Sequence, residues 1–144
     1  MGFMAVTTKT LYDTDFAEWS ARTAELLRAG RLDEVDLEHV AGEIEDLGKS
    51  DRRAVRSQTK RLLLHLIKQQ IQPERAGASW KASVTDARQE IRQILDDSPS
   101  LRRYLSANLQ AIYRDAMLLA KDETRVSIDL PEQCPYTLDE TLNG

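Results

Sequence analysis

A single cysteine, Cys134, stands among 144 residues, so no internal disulfide can form and a reducing compartment is expected, the cytoplasm by default. Glycine is sparse at six residues and aromatics make up only 6% of the chain, which disfavours an all-β sandwich built on many tight turns. Long apolar runs are missing too. The longest, Leu62-Leu63-Leu64-His65-Leu66-Ile67, is far short of the ~18 residues that would suggest a membrane span. The opening MGFMAVTTKT has no apolar run long enough for a signal peptide, and Val6 stands where a myristoylation pattern wants serine or threonine. Residues 1–10 are therefore expected to be a flexible N-terminal segment, followed by one domain over 11–144.

What is present is charge, and it is unevenly placed. The chain is 41% hydrophobic and 31% charged with a net charge of −4, which excludes a disordered acidic tail. Residues 13–48 hold eleven acids against three bases, a local net of −8. Residues 49–75 hold eight bases against two acids, a local net of +6. The mean hides this division.

Periodicity predicts five helices and a final turn. The first starts at Asp13 or Asp15, aligns Phe16, Trp19, Thr23 and Leu26, and stops at Gly30, with Asp15 and Glu18 as a capping pair. The second runs from Asp36, its cap, to Leu47, with Leu37, Val40, Ile44 and Leu47 repeating at helical spacing and Gly48 as terminator. The third spans about Ser50 to Ile71. It has a core stripe of Val55, Thr59, Leu62 and Leu66, and a basic face of Lys49, Arg53, Arg56 and Lys60 that Leu63, Ile67 and Ile71 continue. Its second half is expected to be the central element of the fold. Pro73 ends it. A fourth helix, Ser79 to Asp96, aligns Trp80, Val84, Ala87, Ile91 and Ile94, and a fifth begins at Ser98-Pro99 with Leu101, Leu105, Asn108, Ile112, Ala116 and Leu119. From Val126 the chain is an irregular strap, closed by a turn at Thr137 and Glu140. The expected fold is all-α, a single-domain helical bundle with a C-terminal strap.

Several fragments resemble one family. They are Asp36-Leu37-Glu38 through Glu43-Ile44-Glu45-Asp46-Leu47-Gly48, then Gln72-Pro73-Glu74-Arg75 with Ser79-Trp80, then Ser98-Pro99-Ser100-Leu101, and last Cys134-Pro135-Tyr136-Thr137-Leu138. In this order they resemble the bacterial family known as domain of unknown function 29, over about residues 11–143. The resemblance implies an all-α fold and no particular activity.

Chemistry-bearing constellations are few. Cys134 has no base near it in sequence, and only His39 and His65 could serve as one, so the cysteine is expected to tuck the strap onto the bundle. His65 sits within the apolar run and is expected to be a hydrogen-bonded core histidine. His39 and Glu43 share a helix face, and with His65 they are the candidate metal ligands. Neither HExxH nor paired Glu-x-x-His motifs accompany them, so a solvated acidic flank is the simpler reading. No glycine-rich phosphate loop occurs, and neither a catalytic set nor a cofactor is expected.

Lys49, Arg53, Arg56 and Lys60, with Lys81, Arg88 and Arg92 on the fourth helix, form basic stripes fit for a polyanion or a protein partner. The competing expectation is self-complementarity: antiparallel packing about a Gly48-Lys49 turn would lay the acidic second helix along the basic third. Asn108 is expected either to specify a helix partner or to bond to the strap. The function these readings favour is a cytoplasmic, non-enzymatic protein-interaction module, with a homodimer as one expected form, nucleic-acid binding as the alternative and a metal-dependent enzyme third.

Overall fold

The computed structural model describes residues 11–127 and 129–144, and the expectations for residues 1–10 fall outside them. The chain is all-α. It forms two compact units, one ending at Lys49 and the other running Ser50–Gly144. Among the described residues no helix is long and apolar enough to cross a membrane.

In the first unit, residues 11–14 are helical and lead into α1, Phe16–Arg28. Asp15 caps α1 by accepting from the Glu18 amide at 3.0 Å, which satisfies one of the helix's orphan donors. At the other end Gly30 adopts φ +73°. Its amide reaches the Leu27 carbonyl, and the Arg31 amide reaches Leu26. This is a Schellman stop, and it needs the left-handed conformation glycine accepts without strain. A 3-10 turn at Leu32–Glu34, tied by an Arg31–Glu34 ion pair, then leads to Asp36. The Asp36 carboxylate accepts from the His39 amide at 3.3 Å and so starts α2 as its spacing predicts.

The largest departure from the sequence expectation is α2, one continuous helix over Leu37–Ile71. Gly48 does not end a helix, and Lys49 is not in a turn. Glycine in a helix interior costs only about 1 kcal/mol relative to alanine, and the flanking Glu, Leu, Lys and Arg residues all favour helix. A terminator also requires positive φ, which Gly48 does not adopt. The acidic and basic segments are consequently successive stretches of one helix, without the Gly48-Lys49 turn on which their antiparallel pairing depends.

The second unit contains the core. Its elements are α2 from Ser50 onward, α3 (Ala78–Asp97), α4 (Leu101–Thr124) and α5 (Leu138–Asn143). Val55, Leu62, Leu63 and Ile67 of α2 pack with Ile91 of α3 and Leu105, Ile112 and Tyr113 of α4 in one buried cluster. The burial of Leu63 and Ile67 beside the Val55–Leu62 stripe matches the expectation that this half of the helix is surrounded by protein. Helix α4 begins at Leu101, three residues after Ser98. Ser98-Pro99-Ser100 form a turn whose carbonyls accept from the amides of residues 101 to 103, so the serine before proline caps a turn and not the α-helix itself.

The strap is held by side chains reading its backbone. The Tyr113 hydroxyl donates to the Pro131 carbonyl at 2.7 Å. The Gln110 amide donates to the Glu132 carbonyl and accepts from the Cys134 amide, both at 2.7 Å. Asn108 does not join them: its amide donates to the Tyr104 carbonyl one turn back in its own helix. The strap ends in a complete capping box between Thr137 and Glu140, which starts α5 where the sequence placed a turn.

Candidate functional site

Helix α1 and the first part of α2 form a two-helix layer, and two helices cannot cover each other on every side. The sequence places Leu37, Val40, Ile44 and Leu47 on one apolar stripe, and Ile44 is 63% exposed and Leu47 68%. Of the seven large apolar side chains that are exposed among the described residues, six lie in this unit: Phe16, Leu27, Leu32, Leu37, Ile44 and Leu47. Three of them, Leu27, Ile44 and Leu47, line an apolar groove of about 420 Å³ together with Trp19, Thr23 and Val40. Contiguous exposure of this kind marks interaction surfaces more often than scattered apolar residues do.

Beside the groove is an aromatic cluster. Tyr12 stacks on His39 with ring centroids 3.8 Å apart and meets Trp19 edge-on at 4.9 Å. Its hydroxyl donates to Glu43 Oε1 at 2.5 Å. That bond, then burial, then the nearby acids push the Tyr12 pKa up to about 12. His39 Nδ1 lies 2.5 Å from Asp36 Oδ2. His39 and Glu43 are thus on neighbouring positions as expected, but each is engaged by its own partner. His65 is not with them: it lies about seven helical turns further along α2, in the other unit. Among the described residues no group of three His, Cys, Asp or Glu side chains gathers in a way that could hold a metal ion.

His65 also corrects an expectation. Its Nδ1 is buried and finds no hydrogen-bond partner among the described residues, so it is not the satisfied core histidine that its apolar neighbours suggest. Burial lowers its pKa, with Lys68 and Arg61 acting in the same direction and Glu123 opposing them. The folded chain therefore holds His65 neutral at pH values where the unfolded chain would protonate it. Stability from this residue is intact above the ordinary histidine value of about 6.5 and declines as pH falls below it, until the lowered folded value is reached. We expect the thermal midpoint to drop between about pH 7 and pH 5. In a His65→Gln variant the drop over the same range should be smaller. Parallel midpoint curves for the two proteins would contradict this assignment.

The seven basic residues do not act as one set. Arg88 Nε donates to the Thr141 carbonyl at 3.2 Å and an Arg92 terminal nitrogen to the Leu142 carbonyl at 3.4 Å, so both are spent on the unpaired carbonyls at the end of α5. Arg56 pairs with Asp115 of α4 at 3.3 Å. Lys49, Arg53, Lys60 and Lys81 make no ion pair among the described residues. The basic part of α2 finds its acids across the second unit: besides Arg56–Asp115, Arg61 meets Asp86 at 2.6 Å and Lys68 meets Glu123 at 3.0 Å. Lys68 also lies over the ring of Trp80, 5.2 Å from its centroid. Trp80 is only partly buried, in keeping with a surface-capping role and not the core role its stripe suggests.

Cys134 is half-buried, its thiol donating to the Tyr136 carbonyl at 3.4 Å. Burial pushes its pKa up, which keeps it a thiol. It packs against the core cluster, consistent with a strap-anchoring residue.

The groove is what sequence reading missed. Its residues were visible as stripes, but a stripe records only that one face is apolar, not whether anything covers it. The available signal was the small size of the first unit, which offers α1 and part of α2 with no third long helix between residues 11 and 49.

Fold and groove together define an all-α protein with an open apolar face on a small helical layer. The chain belongs to the family described as Domain of unknown function DUF29, which matches residues 11–144. No curated protein and no solved structure matches it.

Proposed function

We propose that this chain is a non-enzymatic interaction module that receives a partner protein in the groove of its first unit. The observation that carries this reading is the concentration of exposed large apolar side chains there, six of the seven among the described residues, three of which line the groove. Burying such a surface in a complex would release ordered water and favour association, whereas leaving it open gives no benefit to the isolated chain. Of the seven basic residues, the four without an ion pair among the described residues, Lys49, Arg53, Lys60 and Lys81, are spread along α2 and α3 and supply long-range attraction more than a shaped site.

The reading is tested by placing a photo-crosslinking residue at Leu47 and, as control, at Arg103, and irradiating living cells that express the full chain. A discrete protein adduct is expected from position 47 alone, and it should vanish when Ile44→Asp is added. Equal adducts from both positions, or an adduct indifferent to Ile44→Asp, would overturn it.

A further inference from the structure

Residues 1–10 precede the described structure, which begins with helical residues at Leu11. Tyr12, the next residue, meets Trp19 edge-on at 4.9 Å and donates to Glu43 at 2.5 Å. Trp19 and Glu43 both line the groove. The preceding segment therefore joins the described chain beside the groove's own lining.

Its length suffices to reach along the groove. The α1 wall lies between Trp19 and Leu27, about 12 Å of helix at a rise of about 1.5 Å per residue. Residues 7–10, extended, span about 13 Å, and each further residue toward Phe3 adds about 3.3 Å. Its composition fits as well. The first six residues are Met1, Gly2, Phe3, Met4, Ala5 and Val6, and polar side chains begin only at Thr7. Methionine and phenylalanine carry large apolar surface, and the unbranched methionine adapts to irregular gaps. A groove of about 420 Å³ has the volume of a small-ligand pocket, so a few such side chains fill it.

Charge agrees with this occupant. No acid precedes Asp13, and Lys9 is the segment's one charged side chain, whereas residues 13–48 carry a net −8. The tether supplies the rest. A segment joined to the unit it covers acts at an effective concentration on the order of millimolar, so even a weak apolar contact holds it in place for part of the time.

We propose that residues 3–6 of the chain itself lie on Trp19, Leu27, Ile44 and Leu47 as an intramolecular cover, which a partner protein displaces. This rests on the docking reading above and adds its regulation. The partner meets a groove that is free for only part of the time, and its apparent affinity falls by that fraction.

The test places a photo-crosslinking residue at Leu47 in the purified full chain, with Arg103 as the control position. Trypsin's first cleavage site is Lys9, so a covering segment is recovered as an adduct carrying residues 1–9. That adduct is expected from position 47 and not from position 103. It should fall at least about threefold in a Phe3→Ser, Met4→Ser double variant, the loss expected when a segment bound two-thirds of the time is released. In an equal mixture of nitrogen-15-labelled and unlabelled chains, both parts of the adduct should carry the same label. Adducts that mix the labels would give the groove to a second copy's segment and overturn the proposal. No adduct, or equal adducts from both positions, would do the same.

In cells, deleting residues 2–8 or introducing the two serines should strengthen the partner adduct at position 47 by at least about threefold. Equal partner adducts from the full and shortened chains would overturn the cover and leave docking standing. If neither chain captures a partner, the docking reading fails, and the adduct carrying residues 1–9 still decides the cover.

Discussion

Truncating Leu62 to alanine is expected to lower the unfolding free energy by about 2–5 kcal/mol, whereas the same truncation at Leu47 should change it by less than about 0.5 kcal/mol. Both residues are leucines on α2 and both lie on apolar stripes. Leu62 is fully buried within the α2–α3–α4 cluster, so its removal loses the transfer free energy of the side chain and leaves a cavity that a close-packed interior cannot refill. Leu47 is 68% exposed, and truncating it removes little buried surface while leaving helix propensity almost unchanged. Denaturant midpoints for the two variants measure the difference directly. Comparable losses at both positions would mean that the first unit's apolar stripe is packed after all, and the open groove with it would have to be abandoned.

A proline at Gly48 should cost about 3 kcal/mol or more, while alanine there should stabilise by about 0.5–1 kcal/mol. The two substitutions have opposite signs only if Gly48 is helical. Proline removes the amide that bonds one turn back, at residue 44, and its ring presses on that carbonyl. Alanine loses less backbone freedom on folding than glycine, and a Cβ built at Gly48 meets nothing within 4 Å, so no clash offsets the gain. Were Gly48 the left-handed terminator that its place after Leu47 suggests, alanine would destabilise instead. Circular dichroism at 222 nm, followed through thermal unfolding of each variant, distinguishes these cases. A lower midpoint for Gly48→Ala would restore the two-helix picture.

Local rules were legible in the sequence wherever a single residue type settles them. Asp15, Gly30, Asp36, Pro73 and the Thr137–Glu140 pair stand at the ends of elements because each meets an orphan backbone group or sets a backbone angle that its neighbours cannot. Gly48 shows the limit of that logic. A glycine inside a run of good helix formers is tolerated or terminating depending on what lies beyond it, and the spacing of Leu47 and Val55 fits both outcomes. The same limit applies to the cations. Arg88 and Arg92 share a face with Lys81 by periodicity, yet two of the three serve the carbonyls of α5, some fifty residues away in sequence.

Sequence alone determined that this protein is helical, where most helices begin and end, and that its charge divides into an acidic stretch followed by a basic one. Those follow from side-chain periods and from backbone groups within a few residues of each other. Only the tertiary structure decided which apolar stripes are covered: the α2 residues beyond Ser50 meet α3 and α4, whereas Leu37, Ile44 and Leu47 remain open to solvent. The hydrophobic effect rewards burial against any apolar surface and is not directional, so a stripe carries no record of its partner. The charge division likewise acquired its meaning from geometry, because a continuous α2 sends the basic stretch to Asp86, Asp115 and Glu123, while of the acids only Glu43 lines the groove of the first unit.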